Sequence, residues 1–559
     1  MNLIGNINAI PFRRFRGGGG VAPFPSITGM IARYSALGLT NEQMAENPIW
    51  VDKTGNEHDL QMKNFAWKGM SGVGGYTENY DSNRWYKVAS RIDTTWTYKS
   101  FNVKSIKDNN SVQLFYQSLP SDTGFRVLSC TIKVSGLTDG QGIEYVSNGT
   151  RPTAIMRIEN DGIYHLPSFD FGAKNAYYGF KFLKLQESCN ITIEQLPLYP
   201  GALVFDGVDD YGICDNFPIL TKEKGYTVVA LRQYLFNATD KIRSLVTNAP
   251  RSIVSRSTLT FELIGSNGAK TNFSFGRGNL VSDFEPNVFS YMTSKSYNGK
   301  TITPGDVTES NKRILVGNFS ENGEYGSNVA IWELVFLDHD ATEEELTKIK
   351  DYFVKTYPWL FPDQAWTVVG KTNEDEDRAT IANITGNGND LVLSNFGFIE
   401  GSGYNEEGEY AGYLVTDGVD DKIVSSVFGM GKDFTIVGDW KFIDNKKSGT
   451  GLVKGSSFYI YNTMIGLDLY INSGSVKNSL DGIKSINAAC SDGRAYDRNW
   501  NEILANTGNV VGSGGTLEVS SSGGRFDRIA FKNLAIYPRI LSKDECIKAY
   551  NYLQTLKAK

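Results

Sequence analysis

Histidine is scarce in this chain of 559 residues: His58, His165 and His339 are the only three. A catalytic zinc site built on three histidines would need all of them, and their wide spacing argues against it. Cysteine is sparse too. Cys130, Cys189, Cys214, Cys490 and Cys546 are scattered, odd in number and never spaced as CxxC, which excludes a disulfide framework or zinc knuckle and leaves buried thiols. No run of about 18 apolar residues occurs, as a membrane-crossing helix requires, so no membrane association is expected. The opening stretch MNLIGNINAIPFRRFRGGGG carries its charge after a short apolar segment, whereas a signal peptide carries it before. Synthesis in the cytoplasm without an export signal is the expectation. Phosphate-cradling GxxxxGK[ST], the GxSxG elbow and HExxH are all missing, which removes three common catalytic classes. Excess positive charge is missing as well: the net charge is −6, so nucleic acid is not an expected partner.

What is present points to β structure. The chain has 31 Phe, 29 Tyr and 9 Trp, 12% of its residues, together with 58 Gly; that combination favours strands joined by tight turns. Its length exceeds what one hydrophobic core uses, and about 150 residues per domain predicts three to four domains.

The chain repeats itself. Asp206-Gly-Val-Asp-Asp210 recurs as Asp417-Gly-Val-Asp-Asp421, and Tyr226-Thr-Val-Val-Ala230 answers to Phe434-Thr-Ile-Val-Gly438. VAIWELVFLDHDATEEEL from Val329 matches IAFKNLAIYPRILSKDEC from Ile529, and TGNEHDLQMKNFAW from Thr54 matches TGNGNDLVLSNFGF from Thr385. Four anchors in one order mean two copies of one domain. Between the Thr54 and Asp206 anchors the offset falls from 331 to 211, so copy one holds 120 extra residues there, about one domain. Within them Phe125–Val134, Ala154–Ile158, Gly179–Leu185 and Asn190–Leu196 read as strands, and Cys189-Asn-Ile-Thr-Ile-Glu194 alternates as a half-buried strand does. A β-sandwich inserted into copy one is predicted. Each copy closes on a capping box, Thr342-Glu-Glu-Glu345 and Ser542-Lys-Asp-Glu545, that predicts a short helix. Leu346, Ile349 and Phe353 share one face of the first helix, as do Cys546, Tyr550 and Leu553 of the second. Strands and turns are expected everywhere else.

Taken together, the Gly386-Asn-Gly-Asn-Asp390 turn, Asp417–Asp421, Phe434-Thr435-Ile436 and Ile536-Tyr537-Pro538-Arg539 resemble the concanavalin A-like, laminin-G-type jelly-roll domains. Copy one departs at its end, where Phe336-Leu337-Asp338-His339 replaces the Tyr-Pro-Arg turn. The expected fold is all-β: tandem concanavalin A-like (laminin-G-like) jelly-roll sandwiches with an inserted β-sandwich and one short C-terminal helix per repeat. The expected domains are 1–25, a flexible N-terminal anchor; 26–76 with 200–362, the first jelly roll; 77–199, the inserted sandwich; and 363–559, the second jelly roll. The layout resembles fibre or decoration proteins of gut Bacteroides (crAss-like) phages, with Cys189–Asp210 carrying the likeness most fully. That resemblance implies a virion structural protein on head or tail, displaying carbohydrate-binding-type jelly rolls for host adhesion as a homo-oligomer, a trimer by the fibre analogy. A bacterial surface or secreted lectin is the alternative, disfavoured by the missing signal peptide.

A glycanase on this fold carries paired carboxylates on one strand, two and four residues apart, on the same face. No such E-x-D-x-x-E strand occurs, and Asn373-Glu-Asp-Glu-Asp-Arg378 reads as a solvated loop. No enzymatic activity is expected. The Asp206–Asp210 and Asp417–Asp421 segments offer hard oxygen ligands that suit calcium, but Asp and Gly are also what a tight turn selects; the turn is preferred and no cofactor is expected. Trp67, Tyr76, Tyr80, Trp85, Tyr86, Trp96 and Tyr98 form an aromatic-dense stretch, mostly core by the weight of aromatic burial, with Trp85, Tyr86 and Trp96 as candidate glycan contacts. Phe12, Arg13, Arg14, Phe15 and Arg16 precede a Gly17–Gly20 hinge and a Pro-rich spacer; arginine for carboxylates and phenylalanine as anchor make them the candidate docking peptide for other virion proteins.

Overall fold

In the computed structural model the chain divides into two compact units, residues 26–347 and residues from 348 onward. Outside the described residues lie 1–22, 88–91, 106–107, 118–125, 128, 149–151, 168, 171–176, 236–242, 248–259, 265–269, 274–279, 282–287, 303–308, 322–325, 407–409, 427, 430, 444–449, 455–457, 463–465, 472–478, 482–485, 505–513, 520, 523–524 and 559.

Each unit contains a sandwich of two antiparallel sheets, and the strand order is the same in both. In the first unit one sheet runs Lys300–Thr301, Ser296–Tyr297, Phe289–Thr293, Thr227–Tyr234, Asn328–Leu337, Leu203–Asp206, Gly72–Val73, and Met30–Ser35 also pairs with Asn328–Leu337. In the second unit the matching sheet runs Glu502–Leu504, Arg494–Asp497, Ile486–Cys490, Thr435–Phe442, Ile529–Tyr537, Tyr413–Val415, Gly403–Asn405, with Gln364–Thr367 on Ile529–Tyr537. The facing sheets agree as closely: Ile49–Trp50, Leu60–Lys63, Tyr211–Cys214 and Ile314–Val316 begin one, Thr380–Ile381, Leu391–Ser394, Lys422–Ser425 and Glu518–Val519 the other. Even the irregularity repeats. The ladder of Thr227–Tyr234 on Asn328–Leu337 slips between Leu231 and Arg232, and that of Thr435–Phe442 on Ile529–Tyr537 slips between Asp439 and Trp440. A bulge turns the strand and re-aims its side chains, so its recurrence is a feature of the repeat.

The chain is all-β in the expected sense, a tandem of jelly-roll sandwiches with a sandwich inserted into the first. The inserted residues build two five-stranded sheets. Gly162–Leu166, Cys130–Ser135, Asn190–Gln195, Ser100–Ser105 and Ile92–Trp96 form one; Pro152–Ile158, Gly142–Asn148, Tyr177–Leu185, Asn109–Gln117 and Trp85–Lys87 form the other. The continuous strand expected over Phe125–Val134 is instead broken: Arg126–Val127 pairs with Phe169–Asp170, apart from Cys130–Ser135.

Alternation explains the cores. Along Leu60–Lys63 and Leu391–Ser394 every second residue is buried, which is the signature of a strand with one dry face. Tyr34, Trp50, Phe205 and Phe336 fill the first jelly roll, Trp366, Trp440 and Phe531 the second, and Trp85, Phe101, Phe180 and Phe182 the insert. Burying each such side chain contributes roughly 1.5–3 kcal/mol.

Both terminal helices form as their caps require. Thr342 and Glu345 exchange backbone N–H bonds at 2.9 and 3.3 Å before Glu343–Thr356, and Ser542 and Glu545 do so at 2.7 and 3.3 Å before Lys543–Gln554. Their predicted faces are buried. Residues 348–362 pack with the second unit, where Tyr537 Oη donates to the Trp359 carbonyl (2.9 Å) and Arg539 Nη1 to that of Val354 (2.7 Å). A third helix, Asn41–Glu46, departs from the expectation of strands and turns. Its start is set by Thr40, whose hydroxyl accepts the Gln43 N–H and so relieves one orphan amide. Among the described residues no helix is long and apolar enough to cross a membrane.

Candidate functional site

The two DGVDD segments are built alike from the backbone outward. Asp206 Oδ1 accepts the Val208 N–H (2.7 Å) and Asp417 Oδ1 that of Val419 (2.7 Å), closing a turn in which Gly207 and Gly418 take φ of 80° and 74°, a region glycine enters without strain. Asp210 reaches back: its Oδ2 accepts the Asp206 N–H (3.0 Å) and its Oδ1 the Ser71 hydroxyl (2.9 Å). Asp421 does the same with Asp417 N–H (2.7 Å) and Ser402 (3.1 Å). Asn64 and Asn395 each donate at 3.0 Å to the carbonyl of Asp209 and Asp420. Only the aspartates were legible as a motif; Asn64, Ser71 and their partners lie at the same 331-residue offset as the Thr54 and Thr385 anchors, which is the signal that identifies them.

In each turn three carboxylates offer oxygens within 4.8 Å of one another, a hard-donor set of the kind calcium uses. The inner carboxylate, however, is committed to the turn through both its oxygens. Burial, reinforced by the Asp206 charge, pushes Asp210 up to about 8, and burial pushes Asp421 up to about 6. Near neutral pH this leaves Asp210 protonated and a weak cation ligand but Asp421 largely ionised, so it is the hydrogen bonds that tie both carboxyls to the turn. Val208 and Val419 stand out at the two tips, 64% and 67% exposed.

A second duplicated device fixes the neighbouring strand. Asn41 Oδ1 accepts the Val73 N–H (2.7 Å) while its Nδ2 donates to the Val73 carbonyl (3.2 Å). Asn373 brackets Tyr404 identically, at 2.8 and 2.7 Å. The 373–378 run is largely solvated as expected, but its first residue performs this structural task. In copy one Asn41 also donates to Tyr98 Oη of the insert (3.1 Å), and Tyr98 lies edge-on to Tyr76 at 5.5 Å. The Asn41–Glu46 helix therefore joins jelly roll and insert.

The three candidate glycan aromatics do not share one exposed platform. Trp85 is 7% exposed and lies in the core of the insert, 5.1 Å from Tyr80 and 5.6 Å from Tyr178; this corrects its reading as a surface contact. Two sheets that close over it, from residues far apart in sequence, are the cause. Trp96 is half-buried against Phe101 (5.2 Å) and Trp85 (6.3 Å). Tyr86 points to the opposite face of its strand and is exposed. Glu78 is buried in the insert, and both its carboxylate oxygens accept from Tyr178 Oη, at 2.9 and 2.7 Å. Burial pushes it up to about 7 against the opposing effect of that hydroxyl. Its own N–H donates to Gln195 Oε1 (3.0 Å), and Gln195 Nε2 donates to Thr77 Oγ1 (2.9 Å), so chain entry and exit of the insert are clasped together. Phe12, Arg13, Arg14, Phe15 and Arg16 lie outside the described residues.

No protein-family model matches the chain, and no curated protein does. Solved structures offer distant likenesses. Trypanosoma rangeli sialidase in complex with the inhibitor DANA is 7% identical at a TM-score of 0.21, covering 46% of this chain and 61% of the sialidase, less than two thirds of its length. The same sialidase in complex with sialic acid is 9% identical at 0.25, covering 82% and 83%. The botulinum neurotoxin serotype D binding domain is 12% identical at 0.23, covering 62% and 89%. Scores this low assign neither family nor site.

Proposed function

We infer that this chain is a non-enzymatic virion structural protein, a head or tail fibre or decoration protein whose tandem jelly rolls are displayed for adhesion to host surface carbohydrate. One observation carries the reading: the polar residues that recur between the copies are consumed by the scaffold. Asn41 and Asn373, Ser71 and Ser402, Asp210 and Asp421 hold turns and strands, as repetition for display requires and catalysis does not. The tract Phe12–Arg16 serves as the docking peptide to other virion proteins, and trimeric assembly gathers three tracts at one site, raising effective concentration. Weak sugar contacts gain strength from the same multiplicity.

The test is a panel of bacterial capsular and plant polysaccharides. Binding without release of reducing ends is expected. Reproducible release abolished by a single Asp or Glu substitution contradicts the non-enzymatic reading.

A further inference from the structure

Two aromatic residues recur between the copies, and the core takes up only part of their surface. Phe65 and Trp67 follow Asn64 in copy one; Phe396 and Phe398 follow Asn395 in copy two, at the 331-residue offset of the Thr54 and Thr385 anchors. All four are half-buried, each pair leaning on the core of its own jelly roll. Trp67 and Phe398 also share a backbone anomaly, with φ of 53° and 50°. A bulky residue takes that left-handed conformation only where its surroundings enforce it. Both copies therefore accept backbone strain to hold a large ring at the surface.

The turn that carries Trp67 is anchored beside the Asp206–Asp210 turn. Ala66 N–H donates to Ser71 Oγ (2.8 Å), Ser71 Oγ donates to Asp210 (2.9 Å), and Asn64 holds the Asp209 carbonyl (3.0 Å). The Asp209 carboxylate itself accepts from no described residue. Lys68, next to Trp67, faces Asp81 of the insert at 3.7 Å, both side chains well exposed.

The copies differ in what covers the ring. Arg378 sets its guanidinium over Phe398, 5.1 Å from the centroid, and Tyr404 stacks on the same ring at 6.3 Å and 27°. Strand register puts Val73 of copy one where copy two has Tyr404. Trp67 meets one ring among the described residues, Phe65, stacked at 4.6 Å and 15°, and Phe65 stands edge-on to Phe205 at 5.0 Å. No described cation lies over Trp67. Its indole N–H has no acceptor among the described residues and is open to solvent. Copy two has filled the place with its own side chains; copy one has not.

We propose that Trp67 is a stacking platform for a pyranose ring of surface carbohydrate, backed by Phe65 and flanked by the Asp209 carboxylate and Lys68. A pyranose has an apolar C–H face that packs on an indole, and hydroxyls around its edge that need donors and acceptors. The free indole N–H, the Asp209 carboxylate and the Lys68 ammonium supply both. A rigid aromatic gives large contact area at little cost in conformational entropy, and the enforced backbone removes more of that cost before binding. The inference rests on the adhesive reading and gives it a site and a ligand chemistry.

The experiment titrates the full chain with cellohexaose, mannohexaose and hexagalacturonate by calorimetry, alongside Trp67→Ala and Trp67→Phe. Expected is binding of at least one of these sugars, weakened about tenfold or more by Trp67→Ala, as loss of an aromatic anchor does. Trp67→Phe, which puts in the ring type of copy two, should keep affinity within about threefold. A bound sugar whose affinity Trp67→Ala leaves unchanged overturns the platform and spares the adhesive reading. Binding of none of the three overturns the platform, whereas the polysaccharide panel decides adhesion separately. If Trp67→Ala does not fold, fluorotryptophan is incorporated into the unaltered chain and the fluorine resonance absent from Trp67→Phe identifies Trp67. That resonance must shift on adding sugar; a shift confined to other tryptophans overturns the proposal.

Discussion

Arg232 and Glu262 form an ion pair sealed between the two sheets of the first jelly roll, with Nε to Oε2 at 2.9 Å and Nη2 to Oε1 at 2.5 Å. Tyr297 Oη donates to the same carboxylate at 2.7 Å. The second jelly roll has Trp440 at the position of Arg232, just past the shared bulge, and its core there is apolar. One repeat closes on charge, the other on an indole.

Breaking that pair leaves a buried charge without its counter-ion, which costs about 3–5 kcal/mol. Glu262→Gln is expected to destabilise the first unit by this amount in urea titrations of the full chain. Replacing both partners with apolar residues of similar volume should come within about 1–2 kcal/mol of the unaltered protein. Equal effects of the single and double changes contradict the sealed-pair account.

The insert should lose stability as pH rises. Glu78 is raised from 4.5 to about 7 by burial, so its folded carboxyl holds a proton that the unfolded chain has released. Below the unfolded value both states are protonated and nothing is lost; the penalty grows through the window between 4.5 and about 7 and is full above it, about 3 kcal/mol at 1.36 kcal/mol per unit. Thermal melts between pH 5 and 8 should show an insert transition that falls with pH, and Glu78→Gln should flatten it. A pH-independent transition in the unaltered protein rejects this.

Both asparagine clamps should be costly to remove, Asn41 the more so for its added bond to Tyr98. Asn41→Ala and Asn373→Ala each leave a strand residue without its N–H and C=O partners, a loss of about 1–3 kcal/mol per unsatisfied group. Gly72→Ala and Gly403→Ala should be severe too, because a Cβ would stand 2.3 Å from Asn41 Oδ1 and 2.5 Å from Asn373 Oδ1. Denaturation midpoints of the four variants check this; a neutral Asn373→Ala beside a damaging Asn41→Ala shows the repeats to be unequal.

Calcium should not matter to the DGVDD turns. With Asp210 and Asp421 holding their own loops, melting temperatures in millimolar calcium and in chelator should coincide. A rise with calcium that Asp417→Asn removes supports a bound ion instead.

Repetition made much of the fold readable. The offsets between anchors translate directly into ladder register: Thr227 faces Leu337 as Thr435 faces Tyr537. Capping boxes at Thr342 and Ser542 state their own geometry locally. The Asn41–Glu46 helix was not readable, because it has no partner in copy two and its tie to the insert through Tyr98 is long-range. Trp85 shows the same limit. Its burial depends on strands that arrive later in the chain, and nothing in its neighbours distinguishes a core aromatic from an exposed one. Glu78 likewise becomes unusual only once Tyr178 closes over it.

The adhesive-fibre account rests on membership of a particle. The most direct measurement is mass spectrometry and labelled electron microscopy of purified virions carrying either the full chain or a chain lacking residues 1–20. The account predicts the full chain on every particle, projecting from head or tail, and loss of occupancy on truncation. Absence of the protein from purified virions contradicts it.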